Sequence, residues 1–494
     1  MSKILNIKEN VLNKSELKEH LAKFASDNVV TNFPEKNTYP IPRVKENCEY
    51  ISLVYTLLNE HVKIGIQIHS AGEWILDNYY IIEKASKIIS KNLTLNKYMK
   101  LPGLRNEGFA RIYMLANEII SNTDGKINQE DLIEYLESYQ TQKELQMEEI
   151  YNIGLFLEIC IIEKIRHISE KVFISQMQKY KVENIVERLI ENKPTKEIKL
   201  KVEGTYPFIE YMSYKLKKYG KIATPYLQIF EEQVKKMGLT VTDAINREHF
   251  DIAVKSLSMK NSITSLKTIG RLDATTVFNK INIVEKILKQ DPANVYGEMD
   301  HITKDYYRQK IQELSKKTKI SEIFIAEQVL KLSKNSTVEQ KKSHVGYYLI
   351  DDGINELLTI LERKQVKIKT NKEKSKIYIG AIYLTTIIIT LFLSLKMNYL
   401  ALLLFIPIQN FVTQIIQYIL SKKVQVKTIP KMEIHEIPKE CTTMCIIPSI
   451  LKKQEDVKSI IDKMEVYYLA NKSKNLYFTL LGDCTSEKNE IVET

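Results

Sequence analysis

The sequence contains little glycine, proline and cysteine. Its 494 residues include 15 glycines, 12 prolines and 5 cysteines. Glycine and proline fall well below their usual shares of about 7% and 5%, so the chain has too few turn residues for a β-sandwich, barrel or propeller. Five scattered cysteines exclude a disulfide scaffold and indicate a reducing compartment. The first twenty residues lack an apolar run long enough for a signal peptide, which predicts a cytoplasmic first domain.

The residues that are abundant indicate a mainly helical protein. The chain is 44% hydrophobic and 27% charged, and its length suits two or three domains. Apolar residues recur at helical spacing through most of the first 370 residues. In one example, Leu132, Ile133, Leu136 and Tyr139 follow Asn128, which is predicted to cap the helix. A polar stretch at 191–208 separates two predicted cytoplasmic helical subdomains, 1–195 and 196–370.

The positive charge of the chain does not indicate nucleic acid. Lys and Arg total 72 against 61 Asp and Glu, a formal net charge of +11. The lysines are spread along helical stretches and alternate with glutamates, which is typical of a solvated surface. Zinc-finger spacings and RNA-binding aromatic signatures are both missing, so no nucleic-acid partner is expected.

Two long uncharged runs predict a transmembrane hairpin. Residues 377–395 and 399–420 are each close to the roughly 20 residues that a helix needs to cross a bilayer. Lysines and one arginine crowd 363–376, and three more lysines follow the second run, whereas the connecting turn has only Lys396. Basic residues stay on the cytoplasmic side. The pattern therefore predicts a multi-pass protein of the cytoplasmic (inner) membrane, with the lipid bilayer as a partner and both large flanks cytoplasmic.

No catalytic or metal-binding residue follows from the motifs. Residues 121–131 resemble a calcium loop around Gly125, but Ile120 occupies the position of the first ligand, so a plain helix–turn–helix is favoured. The eight histidines are dispersed, and Cys441 and Cys445 lack a second pair, so no metal centre is indicated. No two aspartates are two positions apart, which leaves out the D-x-D element that holds a divalent cation in many nucleotide-sugar transferases.

The last part of the chain, 437–494, predicts a βαβ unit. An apolar run up to Pro448, a helical stretch and a second apolar run ending near Asp483 have the lengths of strand, helix and strand. Ligands of open α/β sheets bind at the carboxyl ends of the strands. There, the Asp483 carboxylate is able to accept hydrogen bonds from a ribose or a base. The alternative is that Asp483 only caps its loop.

Five segments of the sequence resemble the cyclic β-1,2-glucan synthase family of bacterial inner-membrane proteins. They occur in the family's order, with the apolar runs between the fourth and the fifth. The segments are AGEWILDNYYIIE (71–83), LPGLRNEGFARIYMLANEIISNTDGKI (101–127), DPANVYGEMDHITKDYYRQKIQELS (291–315), HVGYYLIDDG (344–353) and a last stretch over 437–486 that begins IPKECTTMCIIPSIL.

The resemblance implies a membrane-bound glucosyltransferase that makes (cyclic) β-1,2-glucan from UDP-glucose. Its transferase domain has the A-type nucleotide-sugar fold, of which 437–494 is the incomplete beginning. The family places Pro448 and Asp483 near the uridine of the donor. A divalent cation, Mg or Mn, is expected for the full-length enzyme and is not held by residues of this chain.

Departures from the family leave a second function open. The remaining transferase domain, later membrane spans and a phosphorylase-like region are missing, so the chain is expected to be an N-terminal portion that is inactive alone. The alternative is a non-enzymatic, membrane-anchored helical module that binds a partner or a glucan.

Overall fold

The computed structural model describes residues 11–191, 202–271, 274–336, 341–362, 374–397, 403–423, 429–433, 436–451 and 454–484. The chain forms two compact units, Met1–Lys286 and Ile287–Thr494. As predicted, the fold is mainly helical. The predicted domain boundaries at 195 and 370 lie outside the described residues.

The first unit is a helical assembly with one small sheet. Its helices are α1 (Lys14–Asp27), α2 (Ile41–Lys63), α3 (Ser70–Asn92), α4 (Leu95–Tyr98), α5 (Arg111–Asn122), α6 (Gln129–Gln140), α7 (Met147–Glu191), α8 (Tyr206–Lys218), α9 (Thr224–Lys236), α10 (Val241–Ile269) and α11 (Ala274–Ile281), and α12 (Ile283–Leu288) follows across the unit boundary. Strands β1 (Val30–Thr31) and β2 (Gly103–Leu104) pair antiparallel. A Cβ at Gly103 would lie 2.6 Å from the Phe33 carbonyl oxygen, so this pairing requires glycine.

Helix α7 forms the axis of the first unit. It has 45 residues, which corresponds to about 67 Å at the helical rise, and α2, α3, α5, α8 and α10 pack along it. All twelve residues of α5 are buried. One of its two charged residues, Arg111, donates from Nε to Glu149 of α7 at 2.8 Å and makes a second hydrogen bond to Glu149 from Nη2. Pairing offsets part of the cost of burying both charges.

The turn that resembles a calcium loop is a helix–turn–helix, as predicted. Asn128 caps α6 by accepting the Asp131 amide at 2.8 Å, which confirms its predicted role. Asp124 and Gly125 in the turn have φ of 51° and 72°. The Asp124 carboxylate accepts from Lys164 of α7 at 2.7 Å and from Ser258 of α10 at 2.6 Å. The protein's own donors therefore occupy this carboxylate.

The second unit consists of helices and a two-stranded sheet. Helices α13 (His301–Thr318), α14 (Glu322–Asn335), α15 (Val345–Ile350) and α16 (Ile354–Glu362) pack on one another. Helices α17 (Lys374–Met397) and α18 (Phe405–Lys423) pack as a pair. Strand β3 (Thr443–Leu451), helix α19 (Gln454–Ala470) and strand β4 (Leu476–Cys484) follow.

The structure contradicts the predicted transmembrane hairpin. Among the described residues, no helix combines the length and the apolar character needed to cross a bilayer. Helix α18, Phe405–Lys423, contains Pro407 and the amides of Gln409, Asn410, Gln414 and Gln417. The predicted 377–420 transmembrane hairpin is therefore wrong, and so is the multi-pass inner-membrane location that was drawn from it.

One buried carboxyl group in α7 has no charged partner. Glu158 is buried, and its Oε2 has no hydrogen-bond partner within the described part of the chain. Burial raises the pKa of Glu158 to about 7. The folded state therefore holds a proton that the unfolded chain releases above its ordinary pKa of 4.5, and stability declines as pH rises from about 4.5 to about 7.

We expect Glu158→Gln to remove this decline. The variant should be more stable than the parent chain at pH 8, by up to about 3 kcal/mol from the pKa difference, and should differ little at pH 4.5. Urea unfolding at both pH values, followed by fluorescence of the single tryptophan, Trp74 of α3, reports on the first unit. Glu187→Gln on the exposed face of α7 is the matched control. Equal pH dependence in parent and Glu158→Gln would contradict the assignment.

Candidate functional site

The chemistry expected near the carboxyl terminus depends on a parallel βαβ unit, which the structure contains. Strands β3 and β4 pair in parallel, from Thr443 opposite Leu476 to Leu451 opposite Cys484. Helix α19 connects them and packs on β3. A parallel pair needs a crossover of this kind, and both strands therefore end at the same edge of the sheet.

The two faces of this sheet differ in exposure. Along β3 exposed and half-buried residues alternate, with Met444, Ile446, Pro448 and Ile450 exposed. Since successive side chains point to opposite faces and α19 packs on β3, the half-buried residues face the helix. The exposed residues form what we call the open face of the sheet.

The structure places Pro448 and Asp483 together on the open face. Pro448 lies opposite Leu481. Two residues further along each strand, on the same face, Ile450 lies opposite Asp483. Asp483 is exposed and lies one residue before the described end of β4. The two predicted donor-binding residues are thus near neighbours on one surface, and their binding role stays a prediction.

The prediction that the first strand ends at Pro448 is wrong. Strand β3 continues for three residues, to Leu451. Proline lacks the amide hydrogen that an interior strand needs, but an edge strand accepts it. The described sheet has two strands, so each has a free edge, and Pro448 is accommodated there. The last residues of the predicted 437–494 unit, 485–494, lie outside the described residues.

The described residues of the βαβ unit do not fit a divalent cation. Across the described parts of the chain, no three His, Cys, Asp or Glu side chains come together in a way that could hold a metal ion. Mg²⁺ and Mn²⁺ prefer several oxygen ligands. Among the paired residues of β3 and β4 on the open face, Asp483 supplies one carboxylate. These residues therefore assign no cation-binding role to the described part of the βαβ unit.

A second polar cluster of the second unit surrounds the buried carboxylate of Asp291. Its Oδ2 accepts the amides of Val295 at 3.2 Å and Tyr296 at 3.1 Å, and its Oδ1 accepts the amide of Val345 at 3.0 Å. His344 Nδ1 lies 2.7 Å from Oδ2. The carboxylate therefore fixes both the 291–296 turn and the start of α15.

The chain of contacts continues from His344 to Tyr307 of α13. His344 Nε2 lies 3.2 Å from the Tyr307 hydroxyl. A Cβ at Gly346 would lie 2.2 Å from that hydroxyl, so glycine permits the approach. Burial raises the pKa of the Tyr307 phenol above its ordinary range. Tyr307 is buried, and the Asp291–His344–Tyr307 cluster consequently acts as an internal clamp between helices.

Electrostatics favour an ionised Asp291 within this clamp. Burial by itself would raise its pKa, but the hydrogen bond and charge of His344, with the amides of Val345 and Tyr296, hold the pKa below the ordinary value of 3.8.

Motif reasoning missed this clamp because 53 residues separate the two partners, Asp291 and His344. A signal was present, since Asp291 and His344 are the first residues of the third and fourth segments that carry the family resemblance.

Comparison with known proteins supports that resemblance. No family model matches the chain. The chain is 24% identical over 499 aligned residues to cyclic beta-(1,2)-glucan synthase NdvB of Rhizobium meliloti (strain 1021). The match covers 92% of this chain and 17% of that protein, so the chain spans about a sixth of the relative's length. The predicted relationship to this family is thereby supported.

We expect Asp291→Asn to destabilise the second unit by about 2–4 kcal/mol, since it removes a charge from a buried, hydrogen-bonded pair. The depressed pKa also predicts that the contribution of Asp291 is complete above pH 3.8 and is lost as pH falls through the folded-state pKa. Thermal unfolding at pH 7 and at pH 3, with exposed Asp352→Asn as control, measures both effects. A variant as stable as the control at pH 7 would show that the clamp contributes nothing.

Proposed function

We propose that the chain is part of a glucosyltransferase that builds cyclic β-1,2-glucan from UDP-glucose. The parallel βαβ unit of 437–484 carries this proposal, because it presents a carboxylate near the carboxyl end of a parallel strand. The similarity to a cyclic glucan synthase along 92% of the chain supports it. Since the chain spans 17% of that relative, synthesis is proposed for the longer polypeptide and not for this portion alone.

In this proposal the open face of the sheet binds the donor nucleotide. The Asp483 carboxylate accepts hydrogen bonds from ribose hydroxyls or from the uracil N3–H. Pro448 offers an apolar ring without a competing backbone donor. Both side chains are exposed on the same face. Asp483 lies beside the carboxyl end of β4, where α/β folds bind ligands, and Pro448 lies three residues before the end of β3.

The remaining chemistry belongs to groups that we do not assign here. A glucose 2-hydroxyl attacks the anomeric carbon of UDP-glucose, a carboxylate base takes the proton and UDP leaves. We propose that a divalent cation, Mg or Mn, takes part in the full-length enzyme through ligands other than the described residues of the βαβ unit, since these do not form a metal site.

We expect the chain to bind UDP and Asp483→Asn to weaken that binding at least tenfold. Loss of a hydrogen bond to a charged group is worth about 1.5–3 kcal/mol, and about 1.4 kcal/mol corresponds to tenfold in Kd. Titration calorimetry of the full chain with UDP measures the effect. Asp462→Asn, on the exposed surface of α19, is the matched control.

Two outcomes would contradict the proposed function. In the first, UDP fails to bind at millimolar concentration. In the second, Asp483→Asn and Asp462→Asn bind UDP as the parent chain does. A chain that binds β-1,2-glucan without any affinity for UDP would instead support the alternative of a non-enzymatic helical module.

A further inference from the structure

Helix α10 of the first unit has an apolar face that no other described element of that unit covers. Its inner face is buried through residues such as Ala244, Met259 and Ile263. On the outer side Phe250 is 71% exposed, Val254 49% and Leu257 56%. A surface helix normally presents polar residues to water, and a contiguous exposed apolar patch marks a site of interaction.

Two cavities flank this exposed stripe. The first, of about 320 Å³, lies between the start of α8 and α10 and is lined by Tyr206, Asn246, Arg247, Phe250 and Asp251; we call it the Phe250 groove. The second, of about 470 Å³, lies between the start of α3 and α10 and includes Ser70, His249, Ala253 and Leu257. Small-molecule sites start at about 300 Å³, so each cavity has room for a compact ligand.

The Phe250 groove combines aromatic rings with planar polar groups. Arg247 Nη1 donates to the Tyr206 hydroxyl at 2.7 Å, and its guanidinium lies 5.5 Å from the centre of the Tyr206 ring. This double contact holds the tyrosine in place beside the exposed Phe250. Asn246 supplies an amide and Asp251 a carboxylate, which also contacts Lys255 at 3.3 Å.

These groups suit an uncharged polyol better than an ion or an apolar helix. The negative charge of Asp251 stands against the positive charges of Arg247 and Lys255, so the groove carries both signs and does not select an ion by charge alone. An apolar partner would strip water from the guanidinium, amide and carboxylate without giving them hydrogen bonds, which is unfavourable. A pyranose offers both surfaces at once, because its C–H face packs on aromatic rings and its vicinal hydroxyls pair with planar polar groups.

We propose that the Phe250 groove binds a glucosyl unit of a β-linked glucan and that the second cavity binds a neighbouring unit of the same chain across α10. The choice of glucan among carbohydrates rests on the proposed function. The groove therefore serves as a holding site for acceptor or product, in a different unit from the strands that carry Pro448 and Asp483.

Calorimetry of the full chain with purified β-1,2-gluco-oligosaccharides tests this site. We expect millimolar or tighter binding that is weakened at least tenfold by Phe250→Ala and by Arg247→Ala. Phe33→Ala removes another exposed phenylalanine, 62% exposed, and should leave binding unchanged. Since Phe250 is exposed, its truncation should leave thermal unfolding close to that of the parent chain, which separates lost binding from lost folding.

Three binding results would overturn the inference. They are absence of oligosaccharide binding by the parent chain, unchanged binding by Phe250→Ala, and equal loss in Phe33→Ala. Sedimentation that shows a dimer dissolved by Phe250→Ala would also overturn it, because the occupant would then be a second copy. The Phe250→Ala variant should bind UDP as the parent chain does. This control separates a loss of glucan binding at the Phe250 groove from a loss of UDP binding at Asp483.

Discussion

The long helix α7 carries charged side chains into the first unit, and several of them are neutralised by partners from other parts of the chain. Glu149 pairs with Arg111 of α5, and Glu163 receives two hydrogen bonds from Arg43 of α2, at 2.8 and 3.1 Å. Lys164 meets Asp124 of the α5–α6 turn. An unpaired charge at such a position would cost several kcal/mol, so these pairs fix both the depth and the rotation of α7 among its neighbours.

The same pairs set the position of α10, on which the Phe250 groove depends. Asp124 bridges Lys164 of α7 and Ser258 of α10, and Asn261 of α10 adds a contact of 3.3 Å. A single carboxylate thus ties a turn and two long helices together. With its inner face held in this way, α10 presents Phe250 and Arg247 outward on a rigid support, as a preorganised binding surface requires.

Local patterns in the sequence predicted local structure well. Helical spacing identified the buried stripe of Leu132, Leu136 and Tyr139, and a capping preference identified Asn128. The lengths of apolar runs identified the βαβ unit. The end of β3 was misjudged because Pro448 was taken as a stop, whereas a free strand edge tolerates it. The helices at 374–423 were misjudged because uncharged length was given more weight than Pro407 and the amides of α18.

Contacts between distant residues were beyond the reach of those patterns. Nothing in the spacing of Asp291 and His344 shows that the two meet, since 53 residues separate them and each is ordinary in its own segment. Arg247 and Tyr206 are 41 residues apart and become a unit only when α8 folds against α10. Family resemblance pointed to the Asp291 and His344 segments without giving the reason, which is a hydrogen-bonded clamp.

The described two-stranded sheet leaves apolar side chains and strand edges uncovered. Within the described residues, β3 and β4 each leave one row of backbone groups unpaired, and Met444, Ile446 and Leu481 face water. A parallel pair of this size is only marginally stable by itself, and open strands recruit other strands. An uncovered strand pair of this kind is therefore a point of vulnerability to aggregation.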